Sequence, residues 1–164
     1  MDDVLVYVEI SKGTNVKYEY DHELNGLICD RVLYTPFMFP FNYGFIPNTL
    51  SGDGDPLDVL IYMDEPIIAG SYIKCRIIGA LETEDDKGVD SKIIMVPSKK
   101  VSPQEANIEE IKDLPNMFIE KVTYFYKHYK DLEKKEVKIG ELLNKEAAVS
   151  IFRNSQGNFW TKAI

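Results

Sequence analysis

The chain has little of what many site chemistries require. Among its 164 residues are two cysteines, two histidines and one tryptophan. Cys29 and Cys75 stand far apart with no C-x-x-C spacing, which leaves thiolate metal or redox chemistry without a foothold and fits a reducing cytosol. With only His22 and His128, a three-ligand zinc site would need carboxylates or these cysteines, and a histidine-based nucleophile triad has little to draw on. The phosphate loop G-x-x-x-x-G-K-[ST], the fingerprint G-x-G-x-x-G, the elbow G-x-S-x-G and the helix motif H-E-x-x-H are all absent. No window approaches about 18 apolar residues, and Met1-Asp2-Asp3 leads into no basic and apolar signal segment, so a cytoplasmic location without membrane association is expected. Positive charge is short as well: 19 Lys plus Arg stand against 27 Asp plus Glu. The net charge of -8 opposes non-specific adhesion to nucleic acid or anionic lipid, and neither is expected as a partner.

What is present is enough for a core. Hydrophobic residues make up 45% of the chain, and a chain this long is expected to form a single domain over residues 1–164. Val4, Val6, Val8 and Ile10 alternate with Leu5, Tyr7 and Glu9, a period-two strand with Glu9 on the second face. A second strand from Val16 to Tyr20 puts Lys17 and Glu19 on one face. A third, from Leu27 to Leu33, points Cys29 and Arg31 one way and Ile28, Asp30 and Val32 the other. Residues 34–56 hold Pro36, Pro40, Gly44, Pro47, Gly52, Gly54 and Pro56, a density that predicts a long ordered loop of the kind that carries function. Strands resume at Leu57–Met63, Tyr72–Leu81 and Val89–Val96. Phe118, Val122, Phe125 and Tyr129 then form one stripe of a helix starting near Pro115, and a second helix is expected from Lys145 to about Asn154. Strands followed by helices predict an α+β, mainly β, fold.

Chemistry concentrates in acids. Asp53-Gly54-Asp55-Pro56-Leu57-Asp58 places three carboxylates within six residues where the glycine-rich loop meets a strand, and Asp58 shares its strand face with Leu60 and Tyr62. Crowded carboxylates raise one another's pKa unless cations neutralise them, and hard oxygen ligands select magnesium, manganese or calcium. An isolated Asp-x-Asp is more often a solvated turn. Here a second cluster, Glu82, Glu84, Asp85 and Asp86, precedes Gly88, with Asp90 and Lys92 on one face of the next strand. Counting from Asp53 puts Leu57 at position 5 and Asp64 at position 12, so an EF-hand loop fails. Lys17, Arg31 and Lys92 lie inside strand patterns, and Tyr43, Tyr129 and Lys130 complete a set of basic and phenolic groups. Taken singly, each is an ordinary surface or core residue.

These residues resemble the soluble family I inorganic pyrophosphatases, whose signature D-[small or acidic]-D-P-[apolar]-D-[apolar] is matched from Asp53 to Val59. Similar blocks are Lys17-Tyr18-Glu19, Asp30-Arg31, Pro40-Phe41-Asn42-Tyr43-Gly44, Asp85 to Lys92 and Tyr129-Lys130-Asp131-Leu132-Glu133, in family order. The resemblance implies an OB-like five-stranded antiparallel barrel with flanking C-terminal helices, and hydrolysis of pyrophosphate to two phosphates with several magnesium ions, manganese being an alternative. It implies Asp53, Asp58, Asp85 and Asp90 as metal ligands, Glu9 as an outer acid, and Asp55 as general base. Lys17, Arg31, Tyr43, Lys92, Tyr129 and Lys130 would hold phosphate oxygens, with Glu19 and Asp86 supporting. It also implies a homo-oligomer, a hexamer in short bacterial members. Two departures stand out: Phe39 sits where related enzymes often carry tyrosine, and Asp86 where glutamate is common. Two other readings remain at this point. A divalent-cation buffer would need the acids but not the basic set, and an OB-fold nucleic-acid binder would stack bases on Phe37, Phe39, Phe41 and Tyr43 against the adverse net charge.

Overall fold

The computed structural model describes residues 3–163. Eight strands and two α-helices follow in the order β1 (Val4–Ile10), β2 (Val16–Asp21), β3 (Gly26–Val32), β4 (Asn42–Ile46), β5 (Leu57–Ile61), β6 (Tyr72–Asp85), β7 (Gly88–Pro97), α1 (Asn116–His128), β8 (Lys138–Leu143) and α2 (Lys145–Ala163). One sheet runs β1-β4-β5-β7-β6-β8, and a further pairing of β1 with β6 closes five of its strands into a ring. The protein is therefore mainly β with an OB-like barrel, and β2 and β3 form a separate two-stranded ribbon.

Two features depart from the expected barrel. The ring is not wholly antiparallel, because β5 and β7 run parallel with Val59 opposite Ile93 and Ile61 opposite Met95. Parallel neighbours need a crossover, and the long β6 supplies it by pairing antiparallel with β7 on the far side. The second departure is β4, which lies inside the segment whose prolines and glycines predict a loop. Gly44 marks why. A Cβ at this position would stand 1.8 Å from the Tyr7 carbonyl oxygen, so glycine is what lets β4 approach β1 closely enough to complete the ring.

Alternation along the strands sorts residues onto two faces. Val6, Val8, Leu57, Val59, Ile61, Ile93 and Met95 meet α2 through Ala148 and Phe152. Ile10, Leu60, Ile78, Ile94 and Val96 meet Phe39, Phe41 and the α1 stripe of Phe118, Val122, Phe125 and Tyr126. The helices form where expected, with extensions. α2 starts where the Asn144 side chain accepts the Ala147 N–H at 2.9 Å, and it runs nine residues past Asn154 because only Gly157 interrupts it, at a cost of about 1 kcal/mol. Among the described residues no helix is long and apolar enough to cross a membrane.

Candidate functional site

The same alternation that builds the aromatic face aims the polar groups. Leu60 and Ile94 point into the core from β5 and β7, so Asp58, Asp90 and Lys92, two or four residues earlier, emerge from the same face near its edge. The Lys92 ammonium lies between the two acids, donating to Asp58 Oδ2 at 2.7 Å and Asp90 Oδ2 at 2.6 Å. It also donates to the Tyr43 hydroxyl at 3.1 Å and sits 5.8 Å from the centre of the Tyr126 ring. Burial alone would drive this ammonium toward neutrality, but Asp58 and Asp90 outweigh it and hold the proton firmly. Burial pushes the Asp90 carboxyl up, against the pull of Lys92, and its Oδ1 is buried without a hydrogen-bond partner among the described residues.

Glu9 closes one side. It is 7% exposed, and burial raises its carboxyl to about 7 even though Oε2 accepts the Tyr20 N–H at 2.8 Å. The acidic loop lies in the open. Asp53 Oδ1 accepts the Ser51 hydroxyl at 2.6 Å and the Asp55 N–H at 3.0 Å, an Asx turn completed by Gly54 at φ 88°. Asp55 is exposed and makes no side-chain bond among the described residues. Partial burial, then the Asp53 and Asp58 charges, raise its carboxyl.

A second group forms around the β2–β3 ribbon. Asp30 accepts from Lys17 Nζ at 3.2 Å and from Arg31 Nη1, although simple alternation would point Asp30 and Arg31 to opposite sides. The register shift between Lys17 and Tyr18 and the reach of the arginine undo that separation. Arg31 Nε also lies 3.1 Å from Glu133 Oε1 as a charge contact without hydrogen-bond alignment, and Glu133 Oε2 is buried with no hydrogen-bond partner among the described residues. Lys130, just after α1, stands 5.5 Å from the Tyr129 ring centre, and burial lowers its ammonium pKa, with Arg31 and Lys17 acting in the same direction and Asp85 against. Burial pushes the Tyr129 phenol up to about 12.

The structure thus gathers Tyr43, Asp58, Asp90 and Lys92 directly, and Lys17 with Arg31 through the Asp30 carboxylate they share. Glu9 and Asp55 both feel the Asp58 charge. Asp85 turns its carboxylate onto the Lys87 N–H at 2.9 Å, while Glu19 and Asp86 face solvent without a bonding partner among the described residues. Among the described residues no three acids, histidines or cysteines converge tightly enough to grip an ion as they stand, and the Lys92 ammonium lies between Asp58 and Asp90. Phe39, 3% exposed, packs with Phe41, Tyr43 and Phe125 as a core ring. Asp30, Tyr126 and Glu133 join the site through contacts that residue type and spacing do not announce. Asp30 and Glu133 lie within the blocks that carry the family resemblance, whereas Tyr126 has only its helical spacing, four residues after Val122, to mark it.

Comparison with known proteins places this arrangement. The sequence profile described as inorganic pyrophosphatase matches residues 6–159. The chain is 50% identical over 158 residues to an inorganic pyrophosphatase of Nanoarchaeum equitans, covering 96% of this chain and 98% of that one. The structure of an inorganic pyrophosphatase from Helicobacter pylori superposes with a TM-score of 0.95 at 42% identity, covering 97% of this chain and 94% of the other. That of Thermus thermophilus gives 0.93 at 34% identity, covering 96% and 91%.

Proposed function

The chain belongs to the inorganic pyrophosphatase family and hydrolyses pyrophosphate, and from that premise we propose that it does so with divalent metal ions and with Asp55 as general base. The observation that carries the reading is the meeting of Asp58, Asp90, Lys92 and Tyr43 on one sheet face, beside the Asp53–Asp55 turn.

The residues fit a hard cation. All the acids offer carboxylate oxygen, and the buried Asp90 Oδ1 has no partner among the described residues, a costly state for such an atom unless a cation meets it. Asp53, Asp58, Asp85 and Asp90 would hold magnesium or manganese, with Glu9 at the outer edge. When bound, the ions make a coordinated water more acidic and offset phosphate charge. The protein's own groups do the rest. Asp55, exposed and free of side-chain bonds among the described residues, takes the proton of the attacking water. Lys17, Arg31, Lys92 and Lys130 neutralise the charge that develops on the leaving phosphate, and the Tyr43 and Tyr129 hydroxyls, kept protonated by burial, donate to its oxygens. Asp30 and Glu133 fix the direction of Arg31 before substrate arrives. Glu19 and Asp86 add negative field at the rim. The same reading carries a cytoplasmic homo-oligomer, a hexamer, which light scattering would check.

Replacing Asp55 with Asn keeps the shape and removes the base. Phosphate release under saturating magnesium is expected to fall by about 10² to 10⁴. Unchanged turnover would remove Asp55 from that role.

A further inference from the structure

Next to the candidate site, and sharing Asp85, Asp86 and Lys130 with it, lies a charged cleft whose other residues the reaction, as described, does not use. It has a volume of about 390 Å³ and is lined by Glu84, Asp85, Asp86, Glu136 and four lysines, 130, 134, 135 and 138. The chain builds this gathering by turning back on itself. A single 3₁₀ turn over Asp131–Glu133 ends at Lys134, which takes the left-handed conformation at φ 59°, and the Lys135 N–H then donates to the Lys130 carbonyl at 3.3 Å. That turn brings Lys130, Lys134 and Lys135 to one side, and β8 adds Lys138 opposite Glu84 on β6.

Two observations indicate what the cleft takes. Among the described residues, none of the four lysines and none of the four acids lining it is engaged in an ion pair, although opposite charges share one small space. Lysines and carboxylates left apart in this way suit an anion that carries its own divalent counter-ions, with oxygens for the ammonium groups and cations for the acids. The lining also contains no aromatic ring, so there is nothing on which a nucleobase would stack. The ligand is therefore a compact, ring-free polyanion of high charge.

The cleft is continuous with the proposed catalytic centre, because Lys130 and Asp85 belong to both. Lys130 feels the charges of Lys17 and Arg31 on one side and Lys135 on the other. Positive charge thus runs from the phosphate-holding groups outward to the solvent-facing lysines. We propose that Lys134, Lys135 and Lys138 form a subsite for the distal phosphate of a linear inorganic polyphosphate, of which tripolyphosphate is the shortest, while two adjacent phosphates of the same chain occupy the pyrophosphate position. This rests on the functional reading above and extends it to chains longer than two phosphates.

The test is inhibition of pyrophosphate hydrolysis by tripolyphosphate at constant free magnesium, with any phosphate released from tripolyphosphate alone subtracted. The variants are K135E and the milder triple replacement K134Q/K135Q/K138Q, all at exposed positions outside the catalytic set. Losing the charge-assisted contacts should raise the tripolyphosphate inhibition constant by about tenfold or more, with kcat/KM for pyrophosphate held within about twofold. An unchanged inhibition constant in both variants would overturn the subsite, as would an equal loss for both ligands. If the unaltered protein fails to split pyrophosphate, it is the functional reading that falls. If it splits pyrophosphate normally but tripolyphosphate binding ignores the lysines, the subsite alone falls.

Discussion

The two faces of the barrel wall are built from different materials. On the face toward α2 the packing is almost wholly aliphatic, with Phe152 the one buried aromatic ring among fifteen clustered residues. On the face toward α1, Phe39, Phe41, Phe118, Phe125 and Tyr126 share the interior with Leu60, Ile78 and Ile94. The difference is one of precision. Branched aliphatic side chains fill volume and tolerate exchange, whereas flat rings in edge and stacked contact fix one another's orientation. Phe41 stacks on Tyr126 at 5.6 Å and lies 6.2 Å from Tyr43, and both tyrosines flank the Lys92 ammonium. The aromatic face is thus the floor on which the charged site stands, and the aliphatic face holds the ring together.

Truncation separates these roles. Phe41→Ala, at a fully buried position, should reduce stability by about 3 to 5 kcal/mol in urea titration, and it should also lower kcat at temperatures where the variant remains folded. Full activity in the folded variant would mean the rings do not position the site. Next in size is the effect of metal. Magnesium at a hundredfold excess over its dissociation constant should stabilise the protein by about 2.7 kcal/mol, seen as a higher Tm than in chelator. That gain should survive changes on the aliphatic face and shrink in Asp90→Asn, because the orphaned Asp90 oxygen belongs to the other face. The smallest effect is expected from Ile93→Val, buried on the α2 side, which should reduce stability by about 0.5 to 1.5 kcal/mol and leave pyrophosphate turnover unchanged. A fall in turnover there would show that the two faces are mechanically coupled.

Strand alternation made much of this legible beforehand. It placed Asp58 with Leu60 and Tyr62, and Asp90 with Lys92, because period two is a local property of the chain. What escaped was non-local. β4 reads as loop since Pro40, Gly44 and Pro47 punctuate it, and only the approach of Tyr7 explains why glycine is needed there. β8 is mostly exposed along its six residues and shows no clean alternation, so it becomes a strand only by pairing with β6. The contact of Glu133 with Arg31 joins residues about a hundred positions apart, a distance over which spacing carries no information. The parallel pairing of β5 with β7 is likewise a property of the closed ring and of neither strand alone.

The ammonium lodged between Asp58 and Asp90 bears on how the chain matures. Folding brings these acids together, and an unrelieved pair of like charges would resist that step. Lys92 offsets that repulsion from within the chain, so the two acids can meet as the barrel closes without a cation from solution. Under the proposed metal-dependent reading, cations would meet acids already in place, and the ammonium would be free to face the incoming anion.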